Sequence, residues 1–198
     1  MALDTDAVME EFRRAGALLE GHFILSSGLH SSRYLQCALA MSDPARAARL
    51  CGALAANVTA AGFTPDIVVS PAMGGVVVGY EMGRQLGLRA LFTERVEGSF
   101  VFRRGFALEE GARVLMVEDV VTTGLSSREC IETITQNGGN VIAGCCLIDR
   151  SNGAADIGVP LVSLARLDVP TYAADDLPES LESLPAIKPG SRSLAART

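Results

Sequence analysis

The sequence predicts an α/β fold, a parallel sheet flanked by helices, with a small N-terminal flap or hood. Two observations carry that expectation. Short apolar runs alternate with helix-like stretches from about residue 66 onward, which is how strands buried on both faces read. Gly- or Thr-rich loops also follow the runs, and ligands in such folds sit outside the carboxyl ends of the strands. At 198 residues the chain suits one domain, with a helix and flap over 1–40, an α/β core over 41–170 and an irregular tail over 171–198.

Each element has its own signal. Thr5–Leu19 places Val8, Phe12, Ala15 and Leu19 three or four apart, an amphipathic helix. His22–Ser27 and Arg33–Leu39 flank the turn Ser26-Ser27-Gly28 and predict a hairpin or extended flap. Asp43-Pro44 is a helix start, a capping acid followed by proline at the first helical position. That helix carries Ala47, Leu50, Cys51, Leu54 and Val58 on one face and ends at Gly62. Strands are then predicted over Asp66–Ser70, Arg89–Thr93, Val114–Val117, Val141–Ile148 and Leu161–Ala165. A loop over Pro71–Gly75 leads into a helix to Leu86, and a second helix covers Ser126–Asn137, closed by Gly138-Gly139. Glu94–Glu110 is polar and Gly-interrupted, with Val101 and Phe102 as edge-strand residues. From Tyr172 onward Pro, Asp, Glu and Ser predict irregular structure.

Composition narrows the function classes. Hydrophobic residues make up 48% and charged residues 20%, an ordinary globular balance, and no apolar stretch reaches bilayer-spanning length. The acidic start (Asp4, Asp6, Glu10, Glu11) is unlike a secretory or transit signal, so a cytoplasmic location is expected. A net charge of −6 argues against broad nucleic-acid binding. Cys37, Cys51, Cys130, Cys145 and Cys146 form no CxxC pair, and small buried thiols are the leading reading, ahead of zinc binding or a thiol nucleophile. Sixteen of the 17 basic residues are arginine and only Lys188 is lysine. The cationic groups can therefore clamp anions but do not readily shuttle protons.

The chemistry concentrates in VEDVVTTGLSS, Val117–Ser127. An acidic pair, Glu118-Asp119, is expected at a strand's carboxyl end, and Thr122, Thr123, Ser126 and Ser127 surround Gly124 where a helix starts. Free backbone N–H groups at a helix N-terminus with hydroxyls nearby make a phosphate cradle. No GxxxxGK[ST] is present, which excludes the ATPase-type loop. Carboxylates beside a phosphate must face something neutral or cationic, and a ribose diol or a magnesium ion is the natural partner. The ligand these features describe is a ribose 5-phosphate.

The segment resembles the phosphoribosyl pyrophosphate (PRPP) signature of the type I phosphoribosyltransferases, and the chain is similar to their orotate-using branch up to about Arg166. Gly21–Gln36 is similar to that family's flap, Ser70–Gly75 (SPAMGG) to its pyrophosphate loop and Leu147–Arg150 (LIDR) to its base-binding strand end. The resemblance implies the type I fold and Mg²⁺-dependent transfer of ribose 5-phosphate from PRPP to N1 of orotate. It also implies a homodimer in which a mobile loop around 94–105 reaches the partner's site. PRPP contacts are implied for Glu118, Asp119, Val120, Val121, Thr122, Thr123, Gly124, Leu125, Ser126, Ala72, Met73 and Gly74, with Asp119 and Glu118 catalytic, and Arg95 is added to both sets on the chain's arginine bias. Orotate contacts are implied for Thr122, Arg150, Ser26 and Tyr34. No side chain is assigned as a direct metal ligand; Mg²⁺ would be held mainly by PRPP, near Glu118 and Asp119. Arg150 fits on independent grounds, because a guanidinium fork matches a carboxylate, which orotate carries.

The chain departs from the family in its cations. Gly74 stands where relatives often carry a lysine, Ser26 replaces a flap lysine, and Arg95, Arg103 and Arg104 stand in a loop without lysine or histidine. Arg95 is expected to stabilise the leaving pyrophosphate, with Arg103 or Arg104 in support. His22 and His30 are read as structural flap residues. The alternatives are a purine or uracil phosphoribosyltransferase, whose bases offer Arg150 no carboxylate, or a non-catalytic PRPP sensor, which would need a nucleic-acid surface. A dinucleotide oxidoreductase is excluded, because no GxGxxG follows a strand.

Overall fold

The computed structural model describes residues 3–25 and 28–188. Its elements are α1 (Thr5–Arg14), β1 (Leu18–Ile24), β2 (His30–Leu35), α2 (Cys37–Met41), α3 (Pro44–Ala60), β3 (Ile67–Pro71), α4 (Gly75–Leu86), β4 (Arg89–Val96) and β5 (Ser99–Phe102). There follow β6 (Arg113–Val121), α5 (Leu125–Gln136), β7 (Asn140–Asp149), β8 (Leu161–Arg166), β9 (Thr171–Tyr172), α6 (Glu179–Glu182) and β10 (Ala186–Ile187).

A six-stranded sheet runs in the order β5-β4-β3-β6-β7-β8, parallel except for β5, which is antiparallel to β4. Successive side chains on a strand face opposite sides, and the packing follows that parity. Val68, Leu115, Val117, Cys145 and Leu147 face the core that includes Val8, Leu50, Leu54 and Met82 of α1, α3 and α4. Val69, Val114, Met116 and Cys146 face Cys130 and Ile134 of α5. Burial on both faces explains why these strands read as continuous apolar runs rather than alternating ones.

A second, four-stranded sheet in the order β10-β1-β2-β9 forms the hood. The hairpin expected around residue 28 is present, with β1 and β2 antiparallel. The helix expected over Thr5–Leu19 stops at Arg14, because Gly16 takes a left-handed φ of 62° and Leu18 and Leu19 enter β1. Cys37–Met41, expected as the end of an extended arm, is helical instead. Asp43 caps α3 as its sequence implies, its carboxylate accepting from the amides of Ala45 and Arg46 at 2.8 and 3.0 Å.

Two further expectations need correction. The tail is not wholly irregular from Tyr172, since β9 and β10 add outer strands to the hood. The stretch 94–105, expected as a mobile loop, begins as a tight hairpin. β4 continues to Val96, Glu97 and Gly98 turn with φ of 49° and 90°, and Val96 pairs with Ser99. Two left-handed residues match the twist of the flanking strands, which stabilises a two-residue turn.

Candidate active site

β6 does not end before the acidic pair; it continues through Glu118, Asp119 and Val120 to Val121. Parity therefore sends the two carboxylates to opposite faces. Glu118 follows Val114 and Met116 to the α5 side, where Ser127 donates a short hydrogen bond to it. Burial pushes the Glu118 carboxyl above its ordinary range, against the lowering effect of hydrogen bonds from Ser127 and Ser126. Asp119 follows Leu115 and Val117 to the other side, and burial raises its carboxyl too, against backbone N–H bonds that favour the charge. The expected pair is thus a straddle, and the Ser127 hydroxyl serves Glu118 rather than a phosphate.

Asp119 lines a cavity of about 640 Å³ with Tyr34 and Leu35 of the hood, Thr122, Thr123, Arg150 and Val169. Arg150 follows the last residue of β7, and its Nε is buried with no hydrogen-bond partner among the described residues. Burial also draws its pKa below the usual arginine value. A buried, unmatched guanidinium donor is costly unless an acceptor reaches it. Asp149 shapes the turn beyond it: this buried carboxylate accepts from the amides of Ser151 at 2.9 Å and Gly153 at 3.0 Å. Tyr34 is raised by burial first and by the Asp119 charge second, which places the phenol in Asp119's field.

The backbone after β6 forms a second depression of about 300 Å³, lined by Thr122–Ser127, Glu118, Arg95 and Glu129. Gly124 takes φ of 74°, and a Cβ there would lie 2.9 Å from Ile157 Cγ2, so the turn into α5 requires glycine. The exposed Thr122 and Thr123 and the first turn of α5 leave N–H groups and hydroxyls facing outward. The loop after β3 closes over Asp119. A Cβ on Gly74 would sit 2.8 Å from Asp119 Oδ2, so no lysine fits there without displacing the carboxylate. Ala72 and the exposed Met73 lie in that same loop, and Ala72 N donates to Thr93 O at 2.8 Å.

Arg95 reaches the phosphate depression of its own chain. Arg103 and Arg104 do not line either cavity; both pair with Glu94, at 3.6 and 2.7 Å. Ser26 lies outside the described residues. His22 and His30 are buried, 2.5 Å apart through Nε2 and Nδ1, and His22 Nδ1 donates to Leu184 O at 3.1 Å, which ties hood to tail. The five cysteines are free and buried. Sequence reasoning missed Glu129, whose position in the first turns of a helix suggests only a dipole complement. It also missed Leu25, Leu29, Val169 and Thr171, which carry no local signal.

No group of three or more His, Cys, Asp or Glu suited to a metal occurs among the described residues. The carboxylates on the cavities are Asp119, Glu118 and Glu129. Isolated hard oxygens of this kind suit Mg²⁺ that keeps its waters and is held largely by substrate phosphates.

This arrangement, a phosphate cradle beside a cavity with a carboxylate and an unmatched guanidinium, defines a class that the comparisons bear out. Residues 41–165 match the family described as the phosphoribosyl transferase domain, and the chain belongs to that family. Its similarity is to the orotate members. It is 61% identical to the orotate phosphoribosyltransferase of Maricaulis maris, covering 96% of this chain and 98% of that one. It is 56% identical to that of Parvibaculum lavamentivorans, covering 98% and 100%. The solved orotate phosphoribosyltransferase of Aeropyrum pernix superposes with a TM-score of 0.69 at 28% identity, over 81% of this chain and 93% of that one. That of Mycobacterium tuberculosis, in complex with inorganic phosphate, gives 0.64 at 25%, over 81% and 94%. No helix among the described residues is long and apolar enough to cross a membrane.

Proposed function

We propose that this chain transfers ribose 5-phosphate from PRPP to N1 of orotate, forming a C–N bond as the C1–O bond to pyrophosphate breaks. The observation that carries the choice of base is Arg150, which lines the larger cavity and whose buried Nε has no partner among the described residues. Orotate brings a carboxylate that completes it, and uracil, adenine and hypoxanthine do not.

The roles follow from position. Backbone N–H groups and hydroxyls of Thr122–Ser126 hold the 5-phosphate, and Asp119 accepts a ribose hydroxyl. Tyr34 and Thr122 flank the base with Arg150. Orotate bound with N1 as the anion needs no general base, so the barrier lies in C1–O cleavage. Arg95 stabilises the charge that grows on the leaving pyrophosphate, and the Ala72–Gly74 backbone offers what the missing lysine would supply by side chain. Mg²⁺ held by PRPP near Asp119 and Glu118 would supply charge neutralisation on the diphosphate.

The working unit is proposed as a homodimer in the cytoplasm. Met73, Val77 and Tyr80 form an exposed apolar stripe from the loop after β3 into α4, a face that a second copy would cover. Five buried free thiols suit a reducing compartment. The support for Arg95 acting at its own chain's site is that it already lines it, which leaves Arg103 and Arg104 as the cations at the hairpin's far end.

The test offers purified protein PRPP, Mg²⁺ and in turn orotate, uracil, adenine, hypoxanthine and xanthine, following each base by ultraviolet absorbance. Orotate alone should be consumed. Consumption of adenine or xanthine without orotate overturns the reading.

A further inference from the structure

Arg128, the fourth residue of α5, is a cation near a helix amino end, where the helix dipole disfavours one. Its partners account for the placement. Nη1 donates to two backbone carbonyls, Thr123 O at 3.2 Å and Asp156 O at 2.5 Å. The first belongs to the phosphate turn and the second to the segment between β7 and β8. The side chain is exposed and lines neither of the two cavities, so it holds the turn from outside.

The carbonyl it holds decides where an amide points. In a trans peptide the C=O of one residue and the N–H of the next point in opposite directions. Holding Thr123 O toward Arg128 therefore sends the Gly124 N–H the other way. No peptide of the turn needs such a hold more. Turning it over changes φ of Gly124, now 74°, and glycine accepts either sign of φ. The next amide is restrained separately, Leu125 N donating to Thr123 Oγ1 at 3.4 Å.

We infer that Arg128 is a positioning residue: by fixing the Thr123 carbonyl it aims the Gly124 N–H into the depression that Thr123 and Gly124 line, toward the 5-phosphate. The inference rests on the phosphoribosyl-transfer reading above and concerns the 5-phosphate alone. A preset amide donates to that phosphate in substrate and product alike. Arg128 therefore governs affinity and leaves bond cleavage to other groups. Asp156 O, sharing Nη1, anchors the guanidinium in place.

Calorimetry with ribose 5-phosphate tests this, alongside steady-state kinetics with PRPP and orotate. Arg128→Met keeps the stem and removes the donors. It should weaken ribose 5-phosphate binding about ten-fold, the low end for one hydrogen bond to a charged group. KM for PRPP should rise by a similar factor, with kcat changed less than about two-fold. Arg128→Lys, which keeps a donor of similar reach, should recover most of the affinity. A spectroscopic readout separates aim from charge. Thr-Gly occurs once in the sequence, so carbonyl-¹³C threonine combined with ¹⁵N glycine isolates the Gly124 amide signal. Saturating ribose 5-phosphate should move that proton downfield in the wild type and much less in Arg128→Met. Unchanged ribose 5-phosphate affinity in Arg128→Met overturns the inference. So does weakened affinity with the full Gly124 shift, which would mean that Arg128 acts by charge alone, and so does a fall in kcat at unchanged KM. Failure of the wild-type protein to bind ribose 5-phosphate or consume orotate defeats the functional reading itself, and the inference with it.

Discussion

The two ends of β6 carry the same kinds of group in opposite condition. At its amino end Arg113 grips Asp66, Nη2 to Oδ1 at 2.6 Å and Nε to Oδ2 at 3.0 Å, while Thr64 Oγ1 accepts from Nη1 at 2.7 Å. Those hydrogen bonds hold the exposed Asp66 carboxyl down to about 2. Near its carboxyl end Glu118 is buried and Asp119 half-buried, no arginine among the described residues bonds either one, and both carboxyls are pushed up. Arg150, one residue beyond β7, keeps a buried Nε without a partner among the described residues. The fold completes its own electrostatics at one end of the sheet and leaves the other end to be completed by what binds there. Unsatisfied groups gathered at one place in an otherwise well-paired structure locate a site on physical grounds.

Substitutions at the two ends should therefore diverge. The largest effect is expected from Arg150→Leu, which removes the guanidinium that meets the base: kcat/KM for orotate should fall on the order of 10²–10³-fold, read by steady-state kinetics at saturating PRPP. Arg95→Ala should lower kcat about 10²-fold, the scale of one preorganised donor, and an unchanged kcat removes Arg95 from the chemistry.

Asp119→Asn should split stability from activity. Because its folded pKa is raised, the carboxyl adds stability below its unfolded value and loses that as pH rises through the folded value. Above the unfolded value the ligand-free enzyme holds a half-buried carboxyl whose charged form it disfavours. Tm should rise in the Asn variant at pH 7, the gain shrinking as pH falls to about 4, while kcat/KM for PRPP drops on the order of 10-fold or more. A lower Tm at pH 7 would show that Asp119 is satisfied in the free protein. Asp66→Asn is the smallest change. Its depressed pKa contributes stability above the unfolded value and loses it as pH falls toward 2. The variant should lose about 1–3 °C in Tm at neutral pH, lose that acid dependence, and turn over orotate at the wild-type rate.

Much of this was legible in the residues. Asp43-Pro44 announced α3 because a cap is local chemistry, and the apolar runs announced the sheet because both faces are covered. The phosphate turn was legible because Gly124 and its flanking hydroxyls are contiguous. What escaped was set by pairing at a distance. Glu118 and Asp119 look like residues after a strand, yet β7 extends the ladder to Val121 through the pairs Val120 with Ile148 and Val121 with Asp149. Glu94–Val96 look like a loop until β5 folds back on them. Glu129 means little alone and gains a partner only in Arg95, 34 residues earlier.

β9 and β10 contain two residues each, yet they are the outer strands of the hood. Their partners were made long before: His22 Nδ1 meets Leu184 O across 162 residues of sequence. Contacts so distant form late, since the intervening chain must be in place before they can close. During synthesis, then, the phosphate turn can assemble when β7 and β8 are complete, while the hood waits for the tail. A nascent chain cut after residue 168 would hold a sugar-phosphate pocket under an unfinished roof.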